Sequence, residues 1–180
     1  MTRRLLATLL LLAAAAHAAE VVVATVGYRD GRFLMHSVSR VQAPEPRVRA
    51  ILTDFGNLPA VNGGLKSVTV TERLGDGGTR MQVASRVCIL AFCLTFDWPQ
   101  TVRTQADGDI VAVIGPGGDF REGRARWRLI AEDGGTRMIF DADLVPAFWF
   151  PPLIGPWLIK RKLQDEALET ARGVERAAGR

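Results

Sequence analysis

Histidine and cysteine are scarce in this 180-residue chain, which contains two of each. The chain also lacks a Gly-x-Ser-x-Gly elbow, a Gly-rich phosphate loop ahead of a helix, and a paired Cys and His. Because His17 lies in the N-terminal leader considered below, His36 is the one imidazole left for a metal or for proton transfer. The sequence therefore predicts no metal site, no cofactor and no catalytic residue, and it favours binding over catalysis.

Three polar residues are the remaining candidates for proton transfer. His36 could act as a general base in a cavity, although a lone strand histidine is more often structural. Asp54 follows a short helix, where the commoner role is to bond the broken backbone. Arg121 shares the strand parity of Trp127, so it could reach inward or simply end the strand in solvent.

The N-terminus has the pattern of a secretory signal peptide. Two arginines precede a Leu- and Ala-rich run over residues 5–16, and an Ala-His-Ala sequence then supplies the small residues that signal peptidase reads. A membrane-spanning helix would need roughly 20 apolar residues, and Glu20 arrives too soon. We therefore expect residues 1–18 to be a cleaved signal peptide, residues 19–180 to form one domain, and the mature protein to be periplasmic or secreted.

The mature chain is only weakly basic. The formal net charge is +4, and loss of the two leader arginines would lower it to +2. So small an excess argues against a nucleic-acid partner. Lys160, Arg161 and Lys162 run together, but Asp165 and Glu166 follow closely, which favours a solvated helix face. Weak contact with an anionic membrane surface is the alternative.

Most of the mature chain reads as short strands joined by tight turns, and the segment boundaries carry Gly, Asp or Pro. The predicted strands cover residues 21–27, 32–41, 65–74, 79–88, 93–105, 109–114, 120–131 and 136–145. From Pro156 the period changes to that of a single amphipathic helix, roughly 34 Å long at about 1.5 Å per residue, with Gly173 as a weak point. The pattern predicts an antiparallel meander followed by one long helix.

For the hairpin that turns at residues 132–135, the pairing register can be checked by asking which residues it places opposite one another. With these residues as the loop, Trp127 faces Phe140 on an apolar side, and the other side carries two pairs of opposite charge. A slip of one residue would undo both matches, so we expect the apolar side to face inward and the charges to pair outward. The expected ion pairs are Arg126 with Asp141 and Arg124 with Asp143.

Cys88 and Cys93 face one another when residues 89–92 form the loop of an earlier hairpin. The same register places Phe96 and Trp98 on the inner side of the sheet. Two opposed cysteines in an exported chain predict a disulfide, and two free thiols packed as small hydrophobic groups are the alternative.

A short amphipathic helix near residue 50 is cut off by Gly56, Pro59 and a Gly pair. The motifs around and after it are Leu52-Thr53-Asp54-Phe55, Leu58-Pro59, Gly64-Leu65, Gly118-Asp119-Phe120-Arg121, Gly123 and Trp127-Arg128-Leu129. They resemble motifs of the START-like (SRPBCC) superfamily, in particular polyketide cyclase/dehydrase and coenzyme-Q-binding (COQ10-type) proteins. The chain departs from that pattern at Asn62-Gly63, where relatives often carry Pro before the Gly, and in its cysteine pair.

The resemblance implies an α+β helix-grip fold, in which a curved antiparallel sheet wraps around a long C-terminal helix and leaves an apolar cavity between them. Large inner-face side chains would then meet small ones on the helix, although a filled core is the alternative. The expected ligand-binding residues are Phe96, Trp98, Trp127, Met138, Phe140, Phe148, Trp149, Trp157, Leu163 and Ala167.

The connection over residues 144–157 is unusually apolar, so we expect it to cover the cavity mouth or to contact a membrane. The favoured function is an exported carrier of a hydrophobic small molecule, such as a lipid, a quinone or a polyketide-like compound. One alternative is a cyclase or dehydratase-type enzyme that acts on a polyketide-like substrate through His36, Asp54 or Arg121. Another is a membrane- or protein-docking module that uses residues 148–157.

Overall fold

The computed structural model describes residues 20–89, 92–148 and 155–179, so the predicted signal peptide lies outside the described residues. Within these residues, eight strands precede the long helix, and two short helices with a 3-10 turn between them separate the second strand from the third. The elements are β1 Glu20–Arg29, β2 Arg32–Val41, α1 Glu45–Thr53, α2 Leu58–Val61, β3 Leu65–Arg73, β4 Thr79–Ile89, β5 Phe92–Thr104, β6 Ile110–Ile114, β7 Phe120–Glu132, β8 Gly135–Pro146 and α3 Gly155–Ala178.

All eight strands belong to one curved antiparallel sheet in the order β1-β2-β8-β7-β6-β5-β4-β3. Consecutive strands are paired with one exception, since β2 pairs with β8 and not with β3. The two short helices connect β2 to β3, which lies at the opposite edge of the sheet. Each predicted strand and the terminal helix are confirmed. The predicted α+β helix-grip architecture is therefore correct.

The fully buried core lies where α3 meets the two short helices and one end of the sheet. Val48 and Leu52 of α1 and Val61 of α2 are buried together with Ala171 and Val174 of α3. Helix α3 also contacts β1 and β2, at one side of the sheet. The last two turns of α3 therefore anchor the helix through apolar burial.

Gly173 is a point of close contact, which corrects its interpretation as a weak point in the helix. A Cβ at this position would overlap the carbonyl oxygen of Val61 and would lie 2.7 Å from the Val61 carbonyl carbon. Only a residue without a side chain lets α2 approach α3 so closely.

Asn62 explains the departure from the family-like pattern in the turn after α2. Its side-chain Nδ2 donates to Thr170 Oγ1 on α3 at 2.8 Å, and its Oδ1 accepts from the Gly64 N–H at 2.8 Å. The Gly63 N–H donates to Glu169 Oε1 at 3.2 Å. Polar bonds thus hold the turn against α3, where proline could not donate.

The predicted register of the β7–β8 hairpin is confirmed. Trp127 is paired with Phe140, and their ring centroids lie 4.6 Å apart on the inner face. Arg126 is opposite Asp141 and Arg124 is opposite Asp143, as expected. The inside and outside assignment of the sheet is therefore correct.

The two expected ion pairs across that hairpin are wrong, because each carboxylate bonds to the other neighbouring strand. Asp141 Oδ1 lies 2.7 Å from His36 Nδ1, and Asp143 Oδ1 accepts from Arg32 Nε at 2.8 Å. Arg126 pairs instead with the buried Asp109. Strand β8 lies between β2 and β7, so its carboxylates have hydrogen-bonding partners on both sides, and hairpin pairing alone cannot choose between them.

The predicted disulfide is present between Cys88 and Cys93, which are paired residues of β4 and β5 with Cα atoms 4.0 Å apart. So short a loop restrains the unfolded chain only modestly. The main effect of the bond is to hold the end of this hairpin closed, next to the aromatic residues described below.

Candidate functional site

Four aromatic side chains form a cluster near one end of the sheet. The ring of Phe148 lies 5.0 Å from that of Phe96 and 6.5 Å from that of Phe120, centroid to centroid. Phe120 in turn meets Trp98 edge-on at 5.4 Å. These distances are typical of favourable aromatic pairs. All four residues are only half-buried, so the cluster leaves apolar surface uncovered.

Asp119 holds the elements that carry this cluster together. Its carboxylate accepts from the Asp97 N–H at 2.7 Å, its own N–H donates to the Asp97 carbonyl at 2.8 Å, and its carbonyl accepts from the Ala147 N–H at 2.8 Å. Gly118 permits the approach, because a Cβ there would lie 2.7 Å from the Trp98 Cα. The Gly-Asp-Phe motif therefore has a structural role, because its hydrogen bonds position residues 147 and 148 beside β5 and β7.

A β-bulge at the start of β7 brings Phe120 inward, which strand parity did not predict. Phe120 is paired with Pro146 and Glu122 with Val145, so Arg121 is the extra residue. Arg121 is exposed, and because its neighbour Phe120 packs against Trp98 and Phe148, Arg121 takes the opposite side of the strand. The bulge reverses the alternation of inward and outward side chains, so the strand pattern places Phe120 on the wrong side. The family-like motif was the only sequence signal that could have marked Phe120 as a site residue.

The predicted inner-face residues of β7 and β8 lie deeper along the same face. Trp127 and Phe140 are half-buried and pack against the core, and Met138 is buried. Ala167 of α3 is half-buried one turn before the buried Ala171, on the same stripe of the helix. The structure thus places the aromatic face of the sheet and the small residues of α3 on the inner side.

Three of the predicted ligand-binding side chains lie outside the described part of the structure, namely those of Trp149, Trp157 and Leu163. The apolar hairpin tip at residues 90–91 and most of the 144–157 connection also lie outside them. The described part of the candidate site therefore consists of the sheet face, Phe148 and the middle of α3.

Gln100 places a polar group on this largely apolar face. Its Oε1 accepts a hydrogen bond from Trp98 Nε1 at 3.0 Å, and its Nε2 lies 3.4 Å from Met81 Sδ. Met81 is 2 % exposed and belongs to the core, which fixes the inward direction of its cross-strand neighbour Gln100. Gln100 lies two residues after Trp98 and four after Phe96 on the same strand. The alternation of side chains along a strand could therefore have identified it as an inward-facing residue.

His36 and Asp54 lie away from the inner face. His36 pairs with Asp141 beside a shallow groove of about 750 Å³ on the outer face, which Arg124 and Arg126 also line. Asp54 is exposed and accepts a hydrogen bond from Asn57 Nδ2 at 2.7 Å just after α1. The local bonding role of Asp54 is therefore the one that the structure has.

The basic run at the start of α3 is largely a solvated face, as predicted. Lys160 and Arg161 are exposed, and Lys162 Nζ lies 2.8 Å from Glu166 Oε1. Hydrogen bonding to the Glu166 carboxylate raises the pKa of Lys162 above its ordinary value. Lys162 therefore stays protonated at neutral pH and is neutralised within its own helix.

None of the helices that the structure describes is both long enough and apolar enough to cross a bilayer. No group of three or more His, Cys, Asp or Glu side chains within residues 20–89, 92–148 and 155–179 is arranged to hold a metal ion.

Comparison with known proteins gives one family and a set of similar folds. Residues 41–170 match the family described as polyketide cyclase / dehydrase and lipid transport. No curated protein sequence matches significantly.

Similar solved structures include a START superfamily protein from Mycobacterium smegmatis, with a TM-score of 0.64, 19 % identity, and coverage of 81 % of this chain and 97 % of that one. The Zhui aromatase/cyclase from Streptomyces has a TM-score of 0.67, 15 % identity, and coverage of 83 % and 94 %. A STAR-related lipid transfer protein from Xanthomonas axonopodis has a TM-score of 0.58, 11 % identity, and coverage of 85 % and 98 %. At these identities the likeness is one of fold.

Proposed function

Since the chain belongs to the polyketide cyclase / dehydrase and lipid transport family, we propose that it is a carrier that binds a hydrophobic small molecule between the sheet and α3. The ligand class is a lipid, a quinone or a polyketide-like compound. The fold of this family supports hydrophobic ligand binding, and the function of an individual member depends on its site.

The observation that carries the proposal is an aromatic inner face whose side chains are only partly buried in the described structure. Phe96, Trp98, Phe120, Trp127 and Phe140 are all half-buried in the folded chain. Large aromatic side chains gain most when they are fully removed from water, so surface of this kind favours an apolar ligand.

The carrier is favoured over a cyclase or dehydratase because the acid and base candidates are in the wrong place. His36 lies on the outer face, Asp54 is exposed after α1, and Arg121 is exposed at the bulge. A general base must come within about 3 Å of the proton that it removes, and none of these residues faces the aromatic surface.

Export is also part of the proposal. The predicted signal peptide at residues 1–18 would deliver the chain to the periplasm or the medium, and a Cys88–Cys93 disulfide fits an oxidising compartment. The apolar connection after β8, with the exposed Lys160 and Arg161 near it in sequence, suits brief contact with a membrane surface from which a lipid-like ligand is taken.

A neutral apolar dye tests the proposal. N-phenyl-1-naphthylamine should bind the folded protein saturably, with one dye per chain and a blue-shifted emission. Phe120→Ser should weaken binding about fivefold, since it removes about 1 kcal/mol of apolar contact. Val113→Ser is the matched control, because Val113 is 47 % exposed on the outer face. Absence of saturable binding, or equal loss in both variants, would contradict the proposal.

A further inference from the structure

One side chain on the aromatic face has hydrogen-bonding capacity that the described residues use incompletely. Gln100 stands on β5 opposite Met81 of β4 and Ile114 of β6, and both of these neighbours are buried. Gln100 itself is only half-buried, as is Trp98 two residues earlier on the same face. Its carboxamide is therefore a polar group set among apolar side chains at the edge of uncovered surface.

The orientation of that carboxamide is fixed by Trp98. An indole N–H can only donate, so the atom that faces Trp98 Nε1 at 3.0 Å must be the amide oxygen. The amide NH₂ then points the other way, where the described structure offers it the Met81 sulfur at 3.4 Å. A thioether is a weak acceptor, and an NH₂ group carries two donors. The geometry leaves at least one N–H without a strong acceptor among the described residues.

An unused donor beside an apolar surface selects for a particular chemistry in a ligand. Desolvating an N–H without a partner is unfavourable, so a wholly apolar ligand that displaces water from it loses affinity. A ligand with a carbonyl oxygen at that point restores the hydrogen bond. The donor is a neutral amide, which suits a neutral acceptor.

We propose that Gln100, oriented by Trp98, donates a hydrogen bond to a carbonyl oxygen of the ligand, so that the site prefers apolar molecules that carry a ketone or quinone-like carbonyl. This inference rests on the proposed carrier function, since it assumes that an apolar molecule occupies the inner face. It adds a specificity-determining residue, Gln100, and a positioning residue, Trp98.

Fluorenone and fluorene test the inference, because they share a rigid ring system and differ in a carbonyl against a methylene. Each is titrated against protein loaded with N-phenyl-1-naphthylamine. The wild type should bind fluorenone about 3- to 10-fold more tightly than fluorene, the range that one neutral hydrogen bond gives. Gln100→Leu should remove that preference, because it takes the hydrogen bond from fluorenone and relieves the desolvation cost that the unpaired N–H imposes on fluorene.

Gln82→Leu is the matched control, since Gln82 faces outward on β4 and its Nε2 donates to Asp97 Oδ1 at 3.3 Å. It should leave the preference for fluorenone intact. Gln100→Glu is a second variant, because an ionised carboxylate still accepts from Trp98 but cannot donate. It should also lose the preference, with circular dichroism used to verify the fold of each variant.

The carbonyl stretch of bound fluorenone supplies a readout that a purely structural role would not move. Hydrogen bonding lowers this frequency, so it should be lower in the wild type than in Gln100→Leu. Trp98→Phe frees the carboxamide to rotate and should give a broadened band. Equal affinity for both compounds and an unchanged frequency in Gln100→Leu would overturn the role of Gln100 while leaving the carrier intact. Failure of the wild type to bind either compound or the dye would instead overturn the carrier, and this inference with it.

Discussion

Replacing Gly173 with alanine is expected to destabilise the protein by about 1–3 kcal/mol or more, although the same change in an exposed helix would stabilise it by about 1 kcal/mol. The sign reverses because the new Cβ would overlap the Val61 carbonyl oxygen and lie 2.7 Å from the Val61 carbonyl carbon. Backbone atoms cannot rotate away, so α2 and α3 must separate and expose core surface. Urea unfolding followed by circular dichroism measures the loss.

Gly56→Ala is the matched control for this prediction. No atom lies within 4 Å of the Cβ that it would add, and the residue sits in the exposed turn between α1 and α2. Its stability should equal or slightly exceed that of the wild type, because alanine restricts the unfolded chain. A Gly173→Ala variant as stable as Gly56→Ala would show that the two helices do not meet as closely as described.

Replacing Ala167 with tryptophan is expected to abolish binding of the apolar dye while the protein remains folded. Ala167 is half-buried on the stripe of α3 that continues to Ala171, and the aromatic face of the sheet lies on the same inner side. Added bulk there would occupy the space meant for the ligand instead of displacing packed side chains. Dye titration and a thermal unfolding scan on the same sample measure both effects.

Arg172→Trp controls for the general effect of a tryptophan on this helix, since Arg172 is exposed. It should retain dye binding and a melting temperature close to that of the wild type. If Ala167→Trp unfolds the chain and the wild type binds no dye, the inner face is a filled core and the carrier proposal fails.

The fold was predictable from the sequence because its signals are local and repeated. Turn residues mark the strand boundaries, and the Trp127–Phe140 pairing sorts apolar from charged side chains across the last hairpin. The disulfide followed from the same reasoning, since the register of β4 and β5 sets Cys88 opposite Cys93. Each of these inferences needed only two neighbouring strands.

The errors arose where a third element or an irregularity decides the outcome. Asp141 and Asp143 bond to β2, which no hairpin argument includes. The bulge that exposes Arg121 and turns Phe120 inward breaks the alternation on which parity depends. The close contact at Gly173 has no local sequence signal, because its neighbour Val61 lies more than a hundred residues away in the chain.

In the carrier proposal the inner face holds a hydrophobic small molecule, and native mass spectrometry of the protein purified from its own host detects such a ligand. The spectrum should contain a species heavier than the polypeptide by the mass of one small molecule, which organic extraction then recovers. The added mass should be absent from Ala167→Trp prepared in the same way. A spectrum that contains only the unliganded mass, from protein that also fails to bind the apolar dye, would show that the inner face carries no such ligand.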